Sequence, residues 1–424
     1  MRVLIAVAPL TAHLYPSVPL AWALQSAGHE VRVASNTSLA GQITAAGLTA
    51  VDLGEGASPP APVTDEQLDR LTDALAFEAG SDADRLWRSI RYYMLASFVR
   101  YYPDPQGRQD LSDNLVQAAR SWRPDLVVWD PACPVGAVAA RECGAASARM
   151  MWGPDYLGWI RPRLAERSAG PRSAPGGGPG DPLAEALAPV YGRFGHEFSD
   201  DLLFGDFTVD PIPPQLPGPE GLRRVRLRWV AYTGSAPVPA WLSQPPSRPR
   251  VCLSLGVTGR ADQQGPDPRV AAALEAVAGL DVEVVATVDA AQIGADRKVP
   301  DNVRIVDYLP LTQVLPTCSA VIHHGGFGTF FAAAVHRVPQ MIVMDDLGSP
   351  LNSSRYLLAR GAGVALASSG LTAALVAGEL DRILTDPSFR RGAAAVYADV
   401  TAAPGPGEIV PVLERLAAQF RTGG

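Results

Sequence analysis

Residues 319–344 read SAVIHHGGFGTFFAAAVHRVPQMIVM. An apolar run (SAVIHH) gives way to three glycines, then to a helical stretch rich in alanine and phenylalanine, then to a second apolar run (QMIVM). Strand, glycine turn, helix and strand form the unit from which parallel sheets with helices on both faces are built. The glycines let the backbone turn tightly and come close to a ligand. The helix that follows aims its free N–H groups and positive dipole end at the turn, which favours an anion. A histidine there donates to a phosphate oxygen, and Thr329 adds a hydroxyl. The segment thus reads as a diphosphate site that needs neither lysine nor metal. The plainer alternative is a glycine-rich turn with a capping threonine and two solvated histidines. Two adjacent histidines beside three glycines favour the anion site.

The same alternation extends in both directions. RVCLSLG (250–256) reads as a strand, 268–278 as a helix, and 281–286 and 302–306 as strands. In the first half, 2–9, 30–35, 125–129 and 147–151 read as strands, with helices at 17–27 and 134–142. Residues 64–123 are mostly helical in pattern, broken at Pro103 and Pro105. Residues 170–182 (GPRSAPGGGPGDP) read as a mobile surface loop. Two Pro-rich stretches, 211–218 and 235–249, mark the best boundary. The expectation is an α/β protein with two Rossmann-like, doubly wound parallel-sheet domains, 1–215 and 249–424, joined by a linker at 216–248. The pattern does not say which domain the last helix (409–420) packs on.

Composition removes several classes. Of 36 basic residues in the 424, 35 are arginine, and the single lysine, Lys298, lies in DRKVP. A phosphate loop of the GxxxxGK[ST] type is therefore absent, and kinase chemistry with it, as is Schiff-base chemistry unless Lys298 is the nucleophile. The first loop, APLTAHLYP (8–16), has no glycine and the second strand ends at Ser35–Asn36, against a nicotinamide site. Neither GxSxG nor HExxH occurs. The net charge of −7 leaves no broad cationic face for nucleic acid. Cys133, Cys143, Cys252 and Cys318 form no CxxC pair, which argues against a zinc knuckle and fits a reduced, cytoplasmic protein. No run of 18 apolar residues suggests a membrane span. MRVLIAVAPL reads as a first buried strand rather than a signal segment.

A second glycine loop, Leu255-Gly256-Val257-Thr258-Gly259, follows the first strand of the second domain and is placed to make a further phosphate contact. Asp307-Tyr308-Leu309-Pro310 closes a strand and offers backbone groups and a ring to a nucleobase. In the first domain, His13 lies in the loop after the first strand and Asp130 ends the strand DLVVWD. On the residues alone His13 reads as a loop histidine with a satisfied partner, although a neutral imidazole is suited to take a proton near pH 7. A carboxylate can hold its ring and stabilise the charged form.

With these residues in view the chain resembles the GT-B glycosyltransferases that decorate antibiotics. It looks most like the bacterial branch moving TDP-deoxysugars onto polyketide aglycones such as macrolides and anthracyclines. The resemblance runs through VPLAWALQSAGHEVRVAS (18–35), WRPDLVVWDP (122–131), RVCLSLG (250–256), VPDNVRIVDYLP (299–310), HHGGFGT (323–329) and RGAG (360–363). It implies two domains facing a central cleft, the first binding the acceptor and the second the nucleotide sugar. It also implies transfer with inversion, with no metal and no cofactor beyond the TDP-sugar donor. His324 takes the family's phosphate-binding position, with backbone groups of Gly326, Phe327, Gly328 and Thr329 holding the diphosphate. Tyr308 and Leu309 fall at the base contact, and Gly256, Val257 and Thr258 at the facing loop. His13 matches the HxxP pattern of the catalytic base, with Asp130 as its partner.

One position departs from the family. Where relatives carry an acidic residue for the sugar hydroxyls, this chain has Ser349, with Asp345 and Asp346 three to four places earlier. On the acceptor side Tyr15, Met94 and Trp152 are the candidates, in a region crowded with Trp87, Tyr92, Tyr93, Phe98, Tyr101, Tyr102 and Tyr156. Those aromatics read either as a polyketide-binding face or as the core of a helical layer. Some relatives need a helper resembling a cytochrome P450, for which the aromatic insert is a candidate docking face, and a homodimer is the other partner considered. The alternatives to a transferase are an epimerase of similar shape, which leaves His13 without a role, and a catalytically silent helper that binds an aglycone or partner enzyme.

Overall fold

The computed structural model describes residues 1–55, 64–99, 111–169, 181–216, 219–256, 265–344 and 351–422. The chain divides into two compact units, Met1–Arg228 with Pro404–Gly424, and Trp229–Ala403.

In the first unit lie strands β1 (Arg2–Ala6), β2 (Glu30–Ser35), β3 (Thr49–Asp52), β4 (Leu126–Trp129), β5 (Ala146–Met150), β6 (Phe207–Asp210) and β7 (Arg224–Arg226). They form one sheet in the order β3-β2-β1-β4-β5-β6-β7, and the pairs run parallel. Val3, Leu4 and Ile5 of β1 and Leu126, Val127 and Val128 of β4 are all buried. That is the pattern of strands covered on both faces. The register pairs Val3 with Leu126 and Ala6 with Trp129, so β1 and β4 end side by side. The order of the sheet reverses between these two strands, and ligands of open α/β sheets bind at such reversals, beyond the strands' carboxyl ends.

The second unit repeats the plan with β8 (Arg250–Ser254), β9 (Glu283–Thr287), β10 (Val303–Val306), β11 (Ala320–His323), β12 (Gln340–Met344) and β13 (Gly363–Ala367), in the order β10-β9-β8-β11-β12-β13. Alternate residues of one strand feed opposite cores. Val251 and Leu253 pack with Val270, Leu274 and Leu380, whereas Cys252 packs with Val285, Val321 and Ala332 on the other side. Here the reversal lies between β8 and β11.

Three sequence expectations need correction. The last helix, Pro406–Phe420, belongs to the first unit and not to a domain ending at 424. Its buried side chains Ile409, Val410, Leu413 and Ala417 form an apolar stripe, packed on the helix Val18–Ser26 and on β5. Thr422 N–H donates to the Gly144 carbonyl at 3.1 Å. The expected linker 216–248 contains β7, an edge strand of the first sheet whose Arg226 reaches Asp210 at 2.8 Å, and the division falls at 228/229. Strands β3 (TAVD), β6 (FTVD), β7 (RVR) and β13 (GVALA) went unread because they are short and lack a continuous run of large apolar residues. Most of the expected 170–182 loop, residues 170–180, lies outside the described residues.

Candidate functional site

Two groups of side chains occupy the two reversals. In the first unit, β1 runs out at Ala6 and the chain turns at Leu10, whose carbonyl accepts from His13 N–H at 3.0 Å. A short helix (Thr11–Leu14) and a proline-led turn (Tyr15–Ser17) follow. His13 is thereby held with its side chain buried, 9% exposed. Asp130 follows β4, tied by its N–H to the Ala6 carbonyl at 3.0 Å, and is 4% exposed. His13 Nδ1 lies 2.8 Å from Asp130 Oδ2. An ionised carboxylate only accepts, so Nδ1 carries a proton, and whenever the ring is neutral Nε2 carries the lone pair. Ala8 N–H also donates to Oδ2, at 2.9 Å, and Ala132 N–H to Oδ1, at 2.6 Å. Burial raises the Asp130 pKa, but the charge and hydrogen bond of His13 and these two N–H groups outweigh it, and the carboxyl lies below the usual range.

The acceptor candidates separate. Trp152 follows β5, and its indole N–H donates to Asp130 Oδ1 at 3.2 Å. Its ring stands 4.5 Å from the His13 ring, centroid to centroid. Tyr15 lies two residues from His13 in the proline-led turn and is half-buried. Met94 is buried with Trp87 and Ile90 in the helix Asp82–Val99, and Trp87 donates to Thr72 at 2.9 Å. Those three fill the helical layer. A small cavity beside the dyad is lined by Ile5, Val7, His13, Met150, Met151 and Trp152, among others.

In the second unit the two adjacent histidines part company. His323 ends β11 and is fully buried. Its Nε2 lies 2.9 Å from Gln340 Oε1, and its Nδ1 accepts from Gly325 N–H at 3.1 Å. Gln340 Nε2 donates to the Phe330 carbonyl at 3.3 Å, which turns Oε1 toward His323 and makes Nε2 the protonated nitrogen. Burial, and after it the neighbouring charge of His324, push the His323 pKa down to about 3. It is a neutral structural residue that shapes the turn.

His324 has left the strand. A Cβ on Gly256 would lie 2.7 Å from its Cε1, and a Cβ on Gly326 would lie 2.5 Å from its Nε2. The ring therefore fits only because both neighbours are glycine. Gly256 and Gly325 also have φ of +77° and +91°, which L side chains rarely adopt. Ser353 Oγ donates to the Gly325 carbonyl at 3.0 Å and pins the turn from outside.

The helix Phe327–Val335 starts at Gly326, with no side-chain cap. Its first internal bond of this kind is Phe330 N–H to the Gly326 carbonyl, 2.9 Å, so the N–H groups of Phe327, Gly328 and Thr329 precede the helical ladder. A Cβ on Gly328 would meet nothing within 4 Å, which marks open space over this helix start. Thr329 itself is buried. Tyr308 has a ring 41% exposed and its hydroxyl donates to the Thr233 carbonyl at 2.5 Å. The Leu309 side chain is packed in the core with Leu242, Val314 and Val321. Val257, Thr258, Asp345, Asp346 and Ser349 lie outside the described residues.

Sequence reasoning did not foresee the indole bond to Asp130, the Gln340–His323 pair or the Ser353 strut. Each depends on which strand or helix lies next to which, and no local motif carries that.

Known proteins bear on both groups. The N-terminal domain model of the erythromycin biosynthesis protein CIII-like family matches residues 22–256, and its C-terminal domain model matches 271–416. The chain is 42% identical to aklavinone 7-beta-L-rhodosaminyltransferase of Streptomyces galilaeus, over 99% of this chain and 97% of that one. It is 41% identical to 10-deoxymethynolide desosaminyltransferase of Streptomyces venezuelae, over 99% and 98%. Among solved structures, glycosyltransferase VinC in complex with DTDP matches with a TM-score of 0.79 and 34% identity, covering 99% of this chain and 100% of that one. Two parallel-sheet units, a histidine cradled by glycines and matches across both halves lead to one assignment: the chain belongs to the erythromycin biosynthesis protein CIII-like family and is a glycosyltransferase of the GT-B fold.

Proposed function

We propose that this glycosyltransferase moves a deoxysugar, aminodeoxysugars included, from a TDP-sugar to a polyketide antibiotic aglycone with inversion at the anomeric carbon. The observation that carries the reading is the 2.8 Å contact of His13 with the buried Asp130 carboxylate. The substrate classes follow the relatives, which are named for rhodosamine or desosamine transfer and for aklavinone or 10-deoxymethynolide.

In the proposed step the acceptor hydroxyl gives its proton to His13 Nε2 while its oxygen bonds to the anomeric carbon. The bond from that carbon to the diphosphate oxygen breaks, and the electron pair leaves with TDP. Asp130 stabilises the imidazolium that forms. Charge growing on the departing diphosphate is met by His324 and by the N–H groups of Gly326, Phe327, Gly328 and Thr329. Tyr308 offers its exposed ring to the thymine and Leu309 its backbone. Gly256, Val257 and Thr258 take the second donor contact, Asp346 and Ser349 the sugar, and Tyr15 the aglycone, Met94 being spent in the helical layer. The proposal includes no metal or bound cofactor and a cytoplasmic setting. A helper resembling a cytochrome P450, or a second copy of the chain, is the partner to add if the isolated chain is inactive.

Two measurements test it. A ligand at 100 times its Kd stabilises the folded state by about 2.7 kcal/mol, a rise of roughly 5–10 °C for a unit of this size. TDP should produce that rise, UDP and GDP less, and His324→Ala should diminish it. Turnover is then read by mass spectrometry with TDP-deoxysugars against aklavinone and 10-deoxymethynolide. A protein that neither answers to TDP nor, with a helper present, glycosylates any polyketide overturns the reading.

A further inference from the structure

We propose that Trp152 is a positioning residue for the His13–Asp130 pair, locking both members at once. This rests on the reading of His13 as the base.

The Asp130 carboxylate has about four acceptor sites, and four donors reach it. Oδ2 takes Ala8 N–H and His13 Nδ1–H, and Oδ1 takes Ala132 N–H and the Trp152 indole N–H. Three of these come from the loops after β1 and β4, which carry the pair itself. The fourth comes from Trp152, in the segment after β5. A carboxylate on a single bond turns freely in a broad, two-fold torsion. The indole N–H on Oδ1 adds to the Ala8 and Ala132 N–H bonds a restraint from outside the two loops, which helps keep Oδ2 aimed at Nδ1.

The same side chain touches the other partner. The indole and imidazole centroids stand 4.5 Å apart at 54°, so the indole abuts the imidazole and opposes a χ2 flip that would put Cδ2 where Nδ1 meets Oδ2. This ring is also within reach of cation–π attraction once His13 is protonated.

Trp152 is itself held rigidly. Met151 N–H donates to the Val209 carbonyl at 2.9 Å. Asp155 accepts from Gly158 N–H at 2.9 Å and is clamped in two-pronged fashion by Arg149, which is fully buried, with Nη1 to Oδ1 at 3.1 Å. Residues 151–155 are therefore fixed at both ends. β5 lies beside β4 in register, Arg149 against Trp129, which delivers Trp152 to Asp130. A residue serving only as a wall for the acceptor needs neither the indole donor nor this clamp.

The test uses full-length protein labelled with ¹⁵N-histidine, His13 being assigned through His13→Asn. Wild type should show His13 as a single tautomer with the proton on Nδ1. Trp152→Phe keeps a ring and removes the donor, and should show mixed tautomers, while Trp152→Gln keeps a donor and should restore the Nδ1 form in part. Wild-type hydrogen-exchange protection of β1, β4 and β5 certifies the fold of the first unit in each variant. If Trp152→Phe fails that control, the indole N–H resonance of wild type against Asp130→Asn replaces it, and its displacement is expected. With aklavinone as acceptor, kcat of Trp152→Phe should fall roughly tenfold to a hundredfold, part of what a general base supplies, with KM within twofold. An unchanged tautomer and kcat with a raised aklavinone KM overturns the proposal in favour of an acceptor wall. Absence of any turnover in wild type counts against the transferase reading alone, because the nitrogen spectra still decide the role of Trp152.

Discussion

The imidazole of His324 fills the space where a side chain on Gly326 would begin, 2.5 Å from its Nε2. Gly326 has φ −60° and ψ 140°, a conformation open to any residue, so alanine there adds no backbone strain. Gly326→Ala is therefore a purely steric displacement of the ring. It should abolish most of the TDP-induced thermal shift and leave the unliganded melting temperature within a few degrees. Gly256→Ala, with φ +77°, should do the same at a further cost of about 1 kcal/mol. A full TDP response in Gly326→Ala would mean that His324 does not hold the diphosphate.

Asp130→Asn tests the other group. One amide oxygen replaces a carboxylate that takes four donors, and the new NH₂ faces N–H groups. Turnover should drop about 10²- to 10⁴-fold, with about 1–3 kcal/mol lost in stability from unsatisfied donors. The folded pKa of Asp130 lies below its ordinary value of 3.8, so the carboxylate's contribution is complete above that value and is lost as pH falls through the lower folded one. The stability gap between wild type and variant should accordingly persist at pH 5 and close only in stronger acid. Thermal melts from pH 7 to pH 3 check this, and a gap that closes by pH 5 would contradict the lowered pKa.

The two-sheet plan was legible because VLIA, LVVW, RVCLS and QMIVM are apolar runs punctuated by glycine or proline turns. The edge strands β3, β7 and β13 were not, and RVR at 224–226 (β7) is a strand only through its pairing with β6 and the Asp210 carboxylate. His13 and Asp130 are 117 residues apart, and no spacing rule joins them. Only their places at the ends of β1 and β4 do, which is why topology made the pair thinkable from sequence. Nor does sequence separate His323 from His324. The first still belongs to β11 and points into the sheet's covering layer, while the second, one residue on, has left it. The amphipathic stripe of 406–420 was equally clear in sequence, but a stripe does not name the surface it covers.

His323 makes an acid-sensitivity prediction. Its folded pKa is about 3 against an ordinary 6.5, so between these values the unfolded chain takes up a proton that the folded chain does not. Stability then falls on acidification by up to about 1.4 kcal/mol per pH unit from this residue alone. His323→Asn removes the titration, and the advantage of wild type at pH 7.5 should shrink by about 2 kcal/mol on going to pH 5. Urea melts of both proteins at pH 7.5, 6 and 5 supply the comparison. A constant difference would show that His323 is not held neutral in the fold.

The C-terminal helix supplies the last test. Leu413 is fully buried within Pro406–Phe420, and that helix packs on Val18–Ser26 and β5 of the first unit. Leu413→Ala removes buried methyl groups that nothing refills, at about 2–5 kcal/mol. Because the helix belongs to the first unit, the loss should stay there. Hydrogen exchange should rise in peptides covering 18–26 and 146–150, while β8, β11 and β12 keep wild-type protection and TDP still raises the melting temperature of the second unit. Exchange that rises instead across β8–β13 would place the helix's stabilising contacts in the wrong unit, and the division of the chain at 228/229 and 403/404 with it.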